Sequence, residues 1–188
     1  MKRKKFITIL GVSTGAVVGG GLAFSAVFDH KTSNQPLEKR HVKLVTLDEC
    51  RKELEQLRQA KGIAVNNDWT LYQNLVHCAQ SIEYSYEGYP EKRSVLFQRT
   101  IGEMAFNKFK KQGFMSHNLN EPILSAPKIV DSDNLEIAFS RLEKAIEQFE
   151  NTDEQMLRPH FVYGNVSKSD YAKVHAMHSS DHFSAFEV

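Results

Sequence analysis

Three histidines near the end of the chain, His175, His178 and His182, carry the strongest chemical signal. In a helix, at about 100° per residue, they fall within an arc of about 60°, so all three rings can face one way. The i, i+4 pair His178/His182 has the spacing that lets two imidazoles of one helix reach a single ion. One helix cannot complete such a site. The candidate for the third ligand is His77, in an earlier helical segment that opens with Trp69. Three neutral imidazoles leave coordination positions open for water or substrate, as in reactive metal sites. Divalent Zn, Ni and Fe all suit imidazole, and the sequence does not choose among them. His175 is a candidate fourth ligand, ligand-orienting partner or proton relay. Tyr84 is a second candidate relay. Asp181 points about 60° from His178 on the helical wheel and is not assigned as a ligand. His117 and His160 fall in loops, where the surface is the default, though either could enter the pocket; His30 and His41 fall in a linker and are given no role.

The elements that must position these residues are helical. Thr46 and Glu49 form a capping-box pair ahead of Leu47, Cys50, Leu54 and Leu57, whose spacing predicts a helix to about Ala60. A second helix begins near Trp69, capped by Asp68 or by Thr70 with Gln73, and stops before Gly88-Tyr89-Pro90. His77 lies nearly opposite its apolar stripe, beside Gln73, Gln80, Ser81 and Tyr84. That face is polar but uncharged, more like a pocket lining than a solvated surface. A third helix spans about Ser94 to Gln112 and stops at Gly113. A long crossover through Pro122 and Pro127 leads to a fourth, with Leu135, Phe139, Leu142, Ile146 and Phe149 as its stripe. His160-Phe161-Val162-Tyr163-Gly164-Asn165 reads as a turn. Ser167 and Asp170 cap the last helix, which runs to about Phe186. No segment has convincing strand alternation. The fold class is all-α: a four-helix bundle with one long crossover loop and an extra short helix.

Composition narrows the function. The chain has 188 residues, 24 of them basic and 23 acidic, which removes any overall electrostatic case for nucleic acid. The first basic residues are clustered: Lys2, Arg3, Lys4 and Lys5 precede a stretch without charge from Phe6 to Phe28. That pattern is an export signal or a membrane anchor. Arg3-Lys4-Lys5-Phe6-Ile7-Thr8 is similar to the twin-arginine motif, with Lys4 in place of the second arginine. Ala23-Phe24-Ser25 supplies small residues for cleavage. The expected organisation is residues 1–28 as signal or anchor, 29–44 as linker and 45–188 as the bundle. The expected location is outside the cytoplasm, periplasmic or tethered, with membrane contact only through the N-terminal segment. Cys50 and Cys78 sit in helices and read as two separate buried thiols. There is no phosphate-binding glycine loop, no G-x-S-x-G elbow and no H-E-x-x-H.

Trp69-Thr70-Leu71-Tyr72-Gln73-Asn74-Leu75-Val76-His77, then Gly88-Tyr89-Pro90, then Tyr163-Gly164-Asn165-Val166-Ser167 leading into His178-Ser179-Ser180-Asp181-His182, resembles the DinB/YfiT-like superfamily of metal-binding four-helix bundles. Within it the wording is similar to a branch of uncharacterised bacterial proteins, some with export signals. The similarity covers about Thr46 to Phe186. It implies a divalent metal held by His77, His178 and His182. It also implies a metal-dependent hydrolase or a thiol-dependent transferase acting on a small substrate, and export argues against cytoplasmic thiols. Pairing of two copies through a helix face follows from the resemblance alone. Against the enzyme stand a non-catalytic metal- or ligand-binding module and a purely structural bundle.

Overall fold

The computed structural model describes residues 40–60, 63–64 (backbone) and 68–188. The readings of 1–28 as signal or anchor, and of most of the linker, lie outside the described residues.

Among the described residues there are five main helices. They are α1 (Leu47–Ala60), α2 (Leu71–Glu87), α3, α4 (Leu135–Asn151) and α5 (Lys168–Phe183). Helix α3 is composite: Val95–Phe97, a π-helical segment Gln98–Gly102 and Glu103–Gln112 run on without a break. The all-α bundle is formed by α1, α2, α4 and α5, and α3 lies outside it, packed on α5 and the turn before it. The short helical piece is Glu154–Met156.

The caps work as the sequence suggests. Glu49 N–H donates to the Thr46 hydroxyl while the Glu49 carboxylate accepts from Thr46 N–H. The competition at α2 goes to Thr70, whose hydroxyl accepts from Gln73 N–H in a full capping box. Ser167 accepts from Asp170 N–H at the start of α5. Gly113, with φ +72°, ends α3 in the left-handed conformation that a side chain resists.

The core is built from one stripe of each bundle helix, with Leu54, Leu57, Leu75, Ile82, Leu142, Ile146, Phe149 and Phe183 fully buried. Helix α5 differs from the others: it is buried on most of its circumference, from Tyr171 to Phe183, despite carrying three histidines and several serines. Polar groups at that depth need partners. Ser180 supplies one case, donating to Val42 O at 2.7 Å and accepting from Leu44 N–H at 3.2 Å. Residues 40–44, the end of the expected linker, therefore lie against the bundle. The Arg40 guanidinium reaches the carbonyls of Phe183 and Phe186 and pairs with Glu53.

Two elements differ from the sequence reading. Helix α5 stops at Phe183, with Ser184 as its cap, and Phe186–Glu187 pairs antiparallel with Ile63–Ala64. Two-residue strands are too short for alternation to reveal them. Cys50 and Cys78 are separate, free and buried, as expected. Burial pushes the Cys50 thiol up to about 12 and raises that of Cys78 as well, so neither is a nucleophile at neutral pH.

Candidate metal centre

Four imidazoles converge at one end of the bundle: His77 from α2, His178 and His182 from α5, and His117 from the crossover. One ring nitrogen of each lies within 4.8 Å of one from every other. His77 Nε2 and His178 Nε2 are 3.2 Å apart, and so are His117 Nε2 and His182 Nε2. Two nitrogens, each about 2.0–2.1 Å from a tetrahedral ion, lie roughly 3.4 Å apart, so both pairs are at ligand spacing.

The protonation pattern supports the same reading. The Asn74 amide nitrogen donates to the carbonyls of Trp69 (3.2 Å) and Thr70 (2.9 Å), which fixes its oxygen as an acceptor. That oxygen is 2.7 Å from His182 Nδ1, so Nδ1 must be the protonated nitrogen and Nε2 carries the lone pair. Asp181 treats His117 similarly. Its carboxylate accepts from the His117 backbone N–H at 2.9 Å and lies 2.8 Å from Nδ1. The ring approach is off the N–H axis, so we take it as an electrostatic hold that favours Nδ1–H. With Nδ1–H on both rings, two lone pairs would face each other at 3.2 Å, an arrangement that a cation between them relieves. Burial holds His77 down to about 3 and His178 well below the ordinary imidazole value, so a metal ion suits the position better than a proton. His77 Nδ1 is buried without a partner.

The structure brings together the three histidines that the sequence singles out, His77, His178 and His182. His117, which the sequence leaves between surface and pocket because its loop has no helical period, joins them. One signal was available: Met115, Leu119 and Ile123, spaced by four, are buried, whereas a solvated loop carries no such series. The crossover is tied down elsewhere too, by Thr70 to Asp131 (2.6 Å) and Asn120 to Asp68 (3.2 Å). Asp181 is outside the four-histidine group and lies against His117.

The two relay candidates fare differently. Tyr84 is half-buried against Tyr89, 5.6 Å between rings, and is not part of the cluster. His175 is 0% exposed, stacked on Tyr171 and edge-on to Phe149, with no hydrogen-bond partner for either nitrogen among the described residues. The fourth place beside His77, His178 and His182 belongs to His117. His175→Phe keeps the stack and removes two unsatisfied nitrogens, a gain partly offset by the larger ring, for a net of about 1 kcal/mol. A rise in Tm of roughly 2–4 °C is expected, with zinc uptake unchanged. A fall in zinc uptake would return His175 to the site.

Beside the cluster is a chamber of about 130 Å³. His77, His117 and His178 form one wall. Met115, Ile123, Leu124, Phe161 and Val174 make it mostly apolar, and Ser81 and His160 add polar groups. Ser81 was read as pocket-lining from the α2 face. His160 takes the less usual of the two places open to a loop histidine: it is buried and lines the chamber.

A family model spans residues 37–188, over four-fifths of the chain. The chain belongs to the DUF1569 family. The description of that family is "protein of unknown function". No curated protein and no solved structure matches this DUF1569 chain. The match takes in all four histidines and the chamber.

The buried supports of a metal site matter nearly as much as the ligands. Asn74→Ala leaves His182 Nδ1 without its acceptor and frees the ring to turn. Zinc affinity, measured by competition with a chromophoric chelator, is expected to fall about 10–100-fold. An unchanged affinity would show that Asn74 does not set the tautomer.

Proposed function

We propose that this DUF1569 protein is an exported, DinB-like metalloprotein that holds a divalent ion with His77, His117, His178 and His182 and uses it on a small substrate. The observation that carries the reading is the convergence of four imidazoles, with ring nitrogens within 4.8 Å of one another and His117 Nε2 and His182 Nε2 3.2 Å apart. Zn, Ni and Fe remain the candidate metals, since imidazole suits each. When bound, such an ion supplies Lewis acidity, polarising an oxygen or lowering the pKa of a water to near neutrality.

The chain's own residues set the terms of that chemistry. Asn74 and Asp181 hold two of the rings. Trp69 packs edge-on against His77, 5.2 Å between ring centroids, and helps keep solvent from the cluster. The apolar part of the chamber wall lowers the local dielectric and strengthens electrostatic interactions beside it. The reaction class is hydrolysis or group transfer. The basic Lys2–Lys5 start followed by an uncharged stretch supports export, and Trp69, His77 and the His178/His182 pair support the DinB resemblance.

A second reading has its own observation. Four imidazoles can close a tetrahedral shell, as structural sites do, and a closed shell binds without turning over. The test is turnover. Zinc-, nickel- and iron-loaded protein would be screened against small esters, amides and phosphate esters, beside protein stripped with chelator. Turnover that appears with metal and vanishes in His178→Ala supports the enzyme. Metal uptake with no turnover on any substrate class supports the binding module.

A further inference from the structure

We propose that His160 is a substrate-binding hydrogen-bond donor, and that the chamber takes a small carbonyl compound whose body is no larger than a six-membered ring. This deepens the reading of the same site as a place for a small substrate, but its geometry does not depend on the metal.

The argument begins with the turn that carries His160. His160 N–H donates to Gly164 O at 2.8 Å, and Gly164 N–H returns to His160 O at 3.0 Å. Within that closed turn the His160 ring bends back on its own backbone. Its Nδ1 accepts from Val162 N–H (3.1 Å) and Tyr163 N–H (3.2 Å). A nitrogen that accepts two N–H bonds carries no proton, so the proton is on Nε2. The tautomer is thus set by the backbone. Nothing among the described residues accepts from Nε2.

The ring cannot turn away from this arrangement. It stacks on Tyr163 at 4.3 Å and 9°, and Tyr89 meets it edge-on at 5.1 Å. The turn itself is clamped: Arg93 N–H and the Gln98 amide both donate to Phe161 O. His160 is only 4% exposed and lines the chamber. Burial also keeps its pKa well below the ordinary value, so the ring stays neutral. A neutral, fixed N–H donor on the wall of a largely apolar pocket suits a carbonyl oxygen, because the donor is preorganised and loses no proton to the substrate.

The remaining lining narrows the ligand. Arg93 and Glu121 both line the chamber and offset each other, so the lining selects no net charge. An apolar cavity of about 150 Å³ holds benzene, and this chamber, at about 130 Å³, is of that order. Ring-sized neutral ketones, esters and amides meet both limits.

The test uses the full chain with histidine nitrogens labelled by ¹⁵N, with cyclohexanone as the probe and cyclohexane as the control without an acceptor. It is run on metal-stripped and on zinc-loaded protein. The His160 signals are expected to show the Nε2–H tautomer throughout pH 6 to 8. Cyclohexanone, and not cyclohexane, is expected to move the Nε2–H resonance. His160→Phe, which keeps the stack, is expected to remove the preference for the ketone by about tenfold while cyclohexane binding persists. An Nδ1–H tautomer, or equal responses to the two probes in the native chain, would overturn the proposal, and this arm needs no variant to fold. If the ketone response is present while zinc is never taken up, His160 stands and the metal reading falls.

Discussion

Stripped of metal, the protein is expected to unfold on mild acidification, near pH 5, before most ordinary carboxylates have taken up protons. His160 and His175 are fully buried, and burial lowers both, His175 to about 3. In the unfolded chain each returns to the ordinary value near 6.5. Above that pH both states are neutral and the histidines contribute nothing to the pH dependence. Below it the unfolded chain takes up protons that the folded chain refuses. Stability then falls by about 1.4 kcal/mol per pH unit for each histidine. His160 and His175 together cost about 3 kcal/mol per unit. His77 and His178, also depressed by burial, roughly double that when no metal holds them. A fold with a total stability of about 5–15 kcal/mol cannot lose 5–6 kcal/mol per unit for long. Far-UV circular dichroism against pH, in chelator, measures the midpoint. Saturating zinc is expected to move it lower, because ion and proton compete for His77 and His178; at a hundredfold excess over Kd, zinc adds about 2.7 kcal/mol. A flat profile from pH 7 to 4.5 without metal would show that these histidines take up protons in the fold.

The second large effect is expected from one methyl group. A Cβ at Gly102 would lie 2.1 Å from Val162 O and 3.1 Å from Val162 C. The obstacle is backbone, so no side chain can swing aside. Gly102 closes the π-helical segment Gln98–Gly102, and π-turns of this kind often mark functional sites. Here the turn bearing His160, Phe161, Val162 and Tyr163 rests directly on that glycine. Gly102→Ala must push the turn away and with it one wall of the chamber. Overpacking of this kind costs about 1–3 kcal/mol or more, which in a chain of this size lowers Tm by roughly 5–10 °C. Gly113→Ala is the control: nothing lies within 4 Å of its Cβ, and only its φ of +72° opposes the change, about 1–2 kcal/mol. Thermal melts of the two variants separate steric displacement from backbone strain. An unaltered Tm for Gly102→Ala would mean that the turn is free to retreat.

The sequence made the scaffold legible because its signals are local. Capping pairs Thr46/Glu49, Thr70/Gln73 and Ser167/Asp170 mark three helix starts, and Gly88 and Gly113 mark two ends. The i, i+4 pair on α5 was visible for the same reason. What lay hidden is non-local. His117 joins the cluster only because the crossover packs down on Met115, Leu119 and Ile123. His160 owes its burial to hydrogen bonds with its own turn, which hydropathy does not report. His175 shares the arc of its two neighbours, but the burial of α5 on most of its faces leaves that ring in the core rather than at the site. Helical phase alone could not separate them.

The most direct measurement is elemental analysis of the full-length chain, purified without chelator or affinity histidines, beside a His178→Ala/His182→Ala variant. About one divalent ion per chain in the native protein, lost in the variant, is the expected result. No ion in the native protein, even after equilibration with Zn²⁺ or Ni²⁺, would contradict the metal centre and leave the four histidines as a buried polar cluster without a cation.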